Sequence, residues 1–199
     1  KGIEGHSALA PLALNAIHLG VDFINIIRNI QKELADNGKS DDDYDIPYTT
    51  LHVGKIQAGV ALNIVPNSCL IDWEIRNLSD DDPAAILEDI RKKVDVLVTN
   101  YKNPNAEIKW EKVFSYPGLG TNIGSDVIDF VRSLTGTNNT IKVAFGTEGG
   151  LFHEEVGIPT VICGPGSMLQ GHKPNEFISV EQMNRCDLMM NNLLRNVRY

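Results

Sequence analysis

No apolar run in this chain approaches the roughly 20 residues that a bilayer-spanning helix needs, so a membrane is not an expected partner. Cysteine is scarce: Cys69, Cys163 and Cys186 are odd in number and far apart. That gives neither a disulfide framework nor a Cys-x-x-Cys zinc pattern, and it fits a reducing cytoplasm. Positive charge is in the minority, 18 Lys and Arg against 26 Asp and Glu, for a formal net charge of -8. Phosphate backbones are gripped by clustered Lys and Arg, so nucleic acid is not expected either. Repeats and low-complexity tracts are missing. So is an initiator Met: the chain opens Lys1-Gly2-Ile3-Glu4-Gly5-His6, as though entered within a strand, and a longer parent is expected. What remains is an ordinary globular composition, 42% hydrophobic and 22% charged, long enough for one large or two small domains.

The most informative stretch runs from Gly164 to Phe177. It follows a short apolar segment, Thr160-Val161-Ile162-Cys163, itself preceded by Gly157-Ile158-Pro159. A strand that ends in glycines and then delivers a histidine, here His172, is a common way to aim a ligand at the carboxyl edge of an α/β sheet. Imidazole suits zinc and similar metals, and Glu176 could orient it from behind. A histidine in a polar loop reads the same way from sequence alone.

Periodicity divides the chain. Residues 1–8 read as a strand entering a turn. From Pro11 to about Ala35, apolar residues at three- and four-residue steps predict a helix, with Pro11 in its first turn and Asn37-Gly38 as its stop. Lys39 to Asp45 reads as a solvated acidic loop. Thr49–Ala58 and Ser68–Asn77 alternate as strands, the second placing Cys69, Ile71, Trp73 and Ile75 on one face. Ser79 or Asp82 caps a second helix with Pro83 at its first position, and Ala106–Val113 alternates again. This is the split βαββαβ order of a ferredoxin-like sheet, ending near Ser115-Tyr116-Pro117-Gly118. Beyond it, a helix from Ser125, a short strand Ile141–Phe145, a glycine turn Gly146-Thr147-Glu148-Gly149-Gly150, a short helix at 151–156, the Thr160–Cys163 strand and a last helix opened by Ser179 look like the tail of a larger α/β domain.

Five pieces in order, Lys1 to Ala8, Asn63-Ile64-Val65-Pro66, Asp72-Trp73-Glu74-Ile75-Arg76, Phe145 to Gly150 and Gly164 to Ile178, together resemble the M20 metallopeptidases. That family of co-catalytic metal hydrolases includes deacetylases, desuccinylases, aminoacylases and carboxypeptidases, and the pieces look most like those of acetylornithine deacetylase. The resemblance implies an α/β (α+β) fold: a ferredoxin-like lid and dimerisation domain at residues 1–115, followed by the C-terminal segment of a metal-dependent catalytic domain at 116–199. It implies two divalent metal ions, zinc or cobalt, in the complete enzyme, and a homodimer formed through the lid. No His-x-Asp motif of the kind that supplies the family's other ligands occurs in the chain, so these 199 residues alone are expected to be inactive.

By that resemblance His172 is a metal ligand, and His6 is a lid histidine that reaches the partner subunit's site to stabilise an oxyanion. Arg76 could clamp a carboxylate with its planar fork, or could form a surface ion pair. Asn63 could orient a carbonyl, or simply turn the chain. Glu148, with Gly149 beside it, could meet a substrate amine, or could favour a helix dipole. Leu151 stands where some relatives carry an arginine for an acidic substrate, which favours a neutral or cationic side chain. The expected substrate is a small N-acyl amino acid, N-acetyl-ornithine foremost, with desuccinylase or peptidase activity as the alternative. An inert dimerisation module is the reading of another class.

Overall fold

The computed structural model describes residues 1–171 and 173–197. It has two compact units, one of Lys1–Ser115 with Lys142–Phe145, the other of Tyr116–Ile141 with the chain from Gly146 onward.

In the first unit the chain runs through β1 (Gly5–His6), a 3-10 turn (Ser7–Leu12), α1 (Ala16–Asn37), β2 (Thr50–Ala58), β3 (Ile64–Val65), β4 (Cys69–Arg76) and α2 (Pro83–Asn100). The long helix begins later than its periodicity predicts. Pro11 falls inside the 3-10 turn, and α1 starts at Ala16 because Asn15 supplies the cap. The Asn15 Oδ1 accepts the N–H groups of Ile17 at 2.9 Å and His18 at 3.4 Å, which satisfies donors that have no partner within the helix. The preceding Leu14 is already committed, exchanging backbone hydrogen bonds with Ile3. Asp82 caps α2 through the Ala84 N–H at 2.8 Å, with Pro83 in first position.

β2 and β4 pair antiparallel, from Thr50 opposite Arg76 to Ala58 opposite Cys69, with a register shift between Val53 and Lys55. Onto this ribbon pack the buried stripe of α1 (Phe23, Ile27, Ile30) and that of α2 (Ile90, Val94), with Leu51. Ile71, Trp73 and Ile75 of β4 pack against that core from the face the alternation assigned them.

The expected single sheet is drawn differently. Among the described residues there are two two-stranded ladders, β1 with β3 and β2 with β4. Residues 106–113 lie outside both. Side chains seat that segment instead: Trp110 makes edge-on ring contacts with Phe23 and Trp73 at centroid distances of 5.7 and 6.1 Å. Alternation registers which side chains face the core, and here it does so without a ladder.

The second unit contains α3 (Asp126–Thr135), α4 (Gly149–Glu154) and α5 (Val180–Val197). Gly136 ends α3 with φ +69°, the left-handed stop that glycine adopts readily. Ser125 precedes α3 without a side-chain capping bond. Ser179 does cap α5, its hydroxyl accepting the Gln182 N–H at 3.2 Å. The segments 141–145 and 160–163, expected as strands, join no ladder among the described residues. Among those residues, no helix is long and apolar enough to cross a membrane.

Two groups in the first unit carry measurable consequences. Thr49 is 1% exposed; its hydroxyl donates to Asp81 and accepts the Leu78 N–H at 2.9 Å. Thr49→Val preserves shape but leaves that buried N–H without its acceptor. Urea unfolding should show a loss of about 1–3 kcal/mol. Tyr101 donates to the Asp22 carboxylate at 2.6 Å, tying α2 to α1. Burial, and then this bond, push its phenol up to about 12 from the usual 10. The unfolded chain therefore loses that proton first as pH rises. The contribution is fully present below about pH 10 and is lost as the pH climbs to about 12. Unfolding of the wild type should become easier across that window, and Tyr101→Phe should flatten the decline.

Candidate functional site

Extended backbone at residues 3–6 pairs on both sides. Ile3 bridges to Leu14, while Gly5 sits opposite Val65 and His6 opposite Ile64. The Ser7 N–H continues the pairing to the Asn63 carbonyl at 2.9 Å. This short ladder places His6 beside Asn63. Together with Glu4, Gly5 and Ile64 they line an open depression of about 320 Å³.

His6 caps the 3-10 turn. Its Nδ1 accepts the Ala8 N–H at 3.1 Å, so in the neutral ring the proton sits on Nε2. The exposed side of the imidazole therefore carries a donor. An N–H donor beside a side-chain amide can serve a carbonyl oxygen or an oxyanion.

Glu4 was not singled out from the sequence. Its Oε2 accepts from Asn67 Nδ2 at 3.0 Å, which holds a carboxylate at the rim of the same depression. Strand alternation was the available signal, since residues 4 and 6 share one face of an extended segment.

Arg76 is not part of this group. It lies at the far end of the β2–β4 ribbon from the loop that carries Asn63, and its guanidinium pairs with Glu74 at 2.8 Å. At about 3.3 Å per residue, the strand from Cys69 to Arg76 is about 23 Å long. The ion pair foreseen as the plain alternative is therefore present.

In the second unit Glu148 is exposed just ahead of α4, with no side-chain capping bond. The Gly149 N–H donates to Thr147 Oγ1 at 3.2 Å. Both glycines that follow Glu148 are buried. A Cβ at Gly149 would sit 2.9 Å from Ile162 Cδ1, and one at Gly150 would sit 2.0 Å from the Pro117 carbonyl oxygen. The glycine pair thus admits the 117–119 segment, which is a packing reason for it. The His153 Nδ1 is buried without a hydrogen-bond partner. His172 lies outside the described residues.

No three His, Cys, Asp or Glu side chains converge among the described residues. The donor set for the family's metals is therefore not assembled by them, and no chemical step is assigned to a metal here.

The peptidase dimerisation domain of the M20 group matches residues 1–102. Acetylornithine deacetylase of Myxococcus xanthus is 30% identical over 193 residues, 96% of this chain and 49% of that protein. Succinyl-diaminopimelate desuccinylase of Marinobacter nauticus is 28% identical over 186 residues, 92% of this chain and 46% of that protein. Among solved structures, a tripeptidase of Staphylococcus aureus aligns with TM-score 0.68 at 24% identity, covering 98% of this chain and 49% of that one. An aminopeptidase of Bacillus cereus aligns with TM-score 0.66 at 19% identity, covering 99% and 49%. These structural likenesses show the mixed α/β fold. The chain spans about half the length of the curated relatives it matches.

The ring state of His6 can be read directly. Nitrogen-15 shifts of the neutral imidazole should report Nε2 protonated and Nδ1 bare. The reverse assignment would remove the exposed donor.

Proposed function

The chain belongs to the M20 family of peptidases and deacylases through its dimerisation domain, and on that footing we propose that it supplies the dimerising lid and the oxyanion donor of an amide hydrolase. The observation that carries this reading is the His6–Asn63 depression, where an Nε2–H donor and a side-chain amide share one open surface. M20 enzymes are metallohydrolases, and a bound metal would supply the activated water that attacks the acyl carbonyl. The contribution of this chain is positional. As the carbonyl becomes tetrahedral its oxygen gains charge, and an N–H held where that charge develops lowers the barrier.

The separation of Arg76 from His6 adds a constraint. One protomer cannot bring both ends of the β2–β4 ribbon to one small substrate. A two-fold dimer sets opposite ends of two copies against a common point. The donor pair His6–Asn63 then serves the partner's substrate, while Arg76 serves the substrate of its own subunit as a carboxylate clamp. Residues 1–115 form the lid in this reading, and the remainder forms the C-terminal segment of the catalytic domain, with Glu148 near the substrate side chain and His172 as a metal ligand.

The substrate class is a small N-acyl amino acid. N-acetyl-ornithine is the first choice, supported by the deacetylase relative and by Leu151 standing where an arginine would favour an acidic substrate. The desuccinylase relative keeps N-succinyl-diaminopimelate as the competing substrate.

The test is a substrate panel on the protein extended to the length of its relatives and loaded with zinc or cobalt. N-acetyl-ornithine should be cleaved in preference to N-succinyl-diaminopimelate and to tripeptides. His6→Gln should lower kcat by about two to three orders of magnitude with the dimer intact by light scattering. An unchanged kcat would remove the oxyanion role. The 199 residues alone should dimerise and hydrolyse none of the panel.

A further inference from the structure

Glu4 lines the same depression as the His6–Asn63 pair, and the hydrolase reading gives it no task. On extended backbone, residues 4 and 6 share one face, and a rise of about 3.3 Å per residue sets them roughly 7 Å apart. The carboxylate is held in place. Asn67 Nδ2 donates to its Oε2 at 3.0 Å, and Asn67 is itself fixed, its carbonyl accepting the Gly2 N–H at 2.8 Å. That amide takes one of the roughly four acceptor positions of a carboxylate, which leaves capacity for a ligand. A fixed negative charge here opposes the chemistry beside it. An oxygen that gains charge at His6 is repelled by a carboxylate this near. A cation on the substrate removes that penalty and adds a charge-assisted hydrogen bond.

We propose that Glu4 is a specificity residue: it binds the side-chain ammonium of the substrate whose carbonyl meets His6, and so selects N-acyl amino acids with a cationic side chain. The inference rests on the hydrolase reading above and deepens it. The reach agrees. With bonds of about 1.5 Å, the extended chain of N-acetyl-ornithine from acyl carbon to terminal ammonium is also roughly 7 Å. A neutral side chain leaves the Glu4 charge unanswered beside the oxyanion, and an acidic one adds to it. Of the two carboxylates assigned to the substrate side chain, Glu4 then carries the discrimination and Glu148 contributes less.

The experiment uses the protein extended to the length of its relatives and loaded with zinc, titrated in a calorimeter with N-methanesulfonyl-ornithine and N-methanesulfonyl-norleucine. These sulfonamides are not hydrolysed, and in the second a methyl group replaces the ammonium. The wild type should bind the ornithine ligand about tenfold or more tighter. Glu4→Gln, which keeps an acceptor for Asn67, should abolish that advantage, and Glu4→Asp, whose carboxylate is drawn back, should reduce it. Far-UV circular dichroism shows whether Glu4→Gln folds; if it does not, Glu4→Asp carries the decision. A wild type without the preference would overturn the assignment, as would a preference undiminished in the variant that decides or lost only in Glu148→Gln. Equal weakening of both ligands by Glu4→Gln would overturn it too, since a carboxylate acting through His6 does not distinguish side chains. Turnover separates this inference from the reading beneath it. A protein that selects the cationic ligand through Glu4 yet cleaves no N-acyl amino acid removes the hydrolase and keeps the Glu4 site. One that cleaves N-acetyl-norleucine as well as N-acetyl-ornithine keeps the hydrolase and removes the specificity.

Discussion

The first unit is organised by the burial of one stripe of α1 against the β2–β4 ribbon and α2. Phe23, Ile27 and Ile30 meet Leu51, Ile90 and Val94. Each large aliphatic or aromatic side chain removed from water contributes about 1.5–3 kcal/mol, so the stripe decides which way the helix faces. Its orientation propagates to the N-terminal end. Ala16 donates its N–H to the Pro66 carbonyl at 2.9 Å, which places β3 at the head of α1. Leu14, just ahead of the Asn15 cap, pairs with Ile3. β1 is then trapped between that bridge and β3, and His6 has one place to go. Even the backbone approach is tight, since a Cβ at Gly2 would fall 2.1 Å from the Leu14 carbonyl oxygen.

What the sequence made legible follows from which interactions are local. The faces of α1, α2 and β4 are written at fixed periods, and Asp82-Pro83 marks its helix start within two residues. Pro11 is compatible with the first turn of a helix, yet α1 starts at Ala16 behind the Asn15 cap. The choice between them was made by a distant residue, Pro66, and by the Ile3 bridge. Residues 106–113 kept their alternation and lost their strand for a similar reason. Side-chain period reports the environment of a residue, whereas a ladder requires a neighbouring backbone. The segment 141–145, divided between the two units, and the segment 160–163 of the second unit have no partner strand among the described residues. Ile141, Ile158, Ile162 and Phe177 stand exposed in the second unit.

The candidate site was legible in its residue types and illegible in its grouping. The motifs around His6, Asn63 and Arg76 suggested polar contacts to substrate, with His6 reaching the partner subunit's site. The fold puts the first two on one depression and the third at the other end of a strand. No local spacing carries that information, because it depends on which hairpin end each residue occupies. Glu4 shows the opposite case. Its face was readable from alternation with His6, and what singles it out is the amide of Asn67 that holds its carboxylate at the rim.

The openness of that depression bears on how the proposed donor could act. A lone N–H in contact with bulk water offers an oxyanion little that water does not, since charge interactions are weakened by the high dielectric. The same N–H becomes effective when water is excluded and the donor is already oriented. Orientation is provided within this chain: Ala8 fixes the ring through Nδ1, and the β1–β3 ladder fixes the backbone. Exclusion of water is not, because His6, Asn63 and Glu4 are all exposed. A covering surface must supply it. If that surface is the partner's catalytic domain, seating the substrate beneath His6 and closing the dimer contact become one event. A donor carried on an exposed two-residue strand is suited to that arrangement: it is preorganised by its own subunit and given its strength by the other.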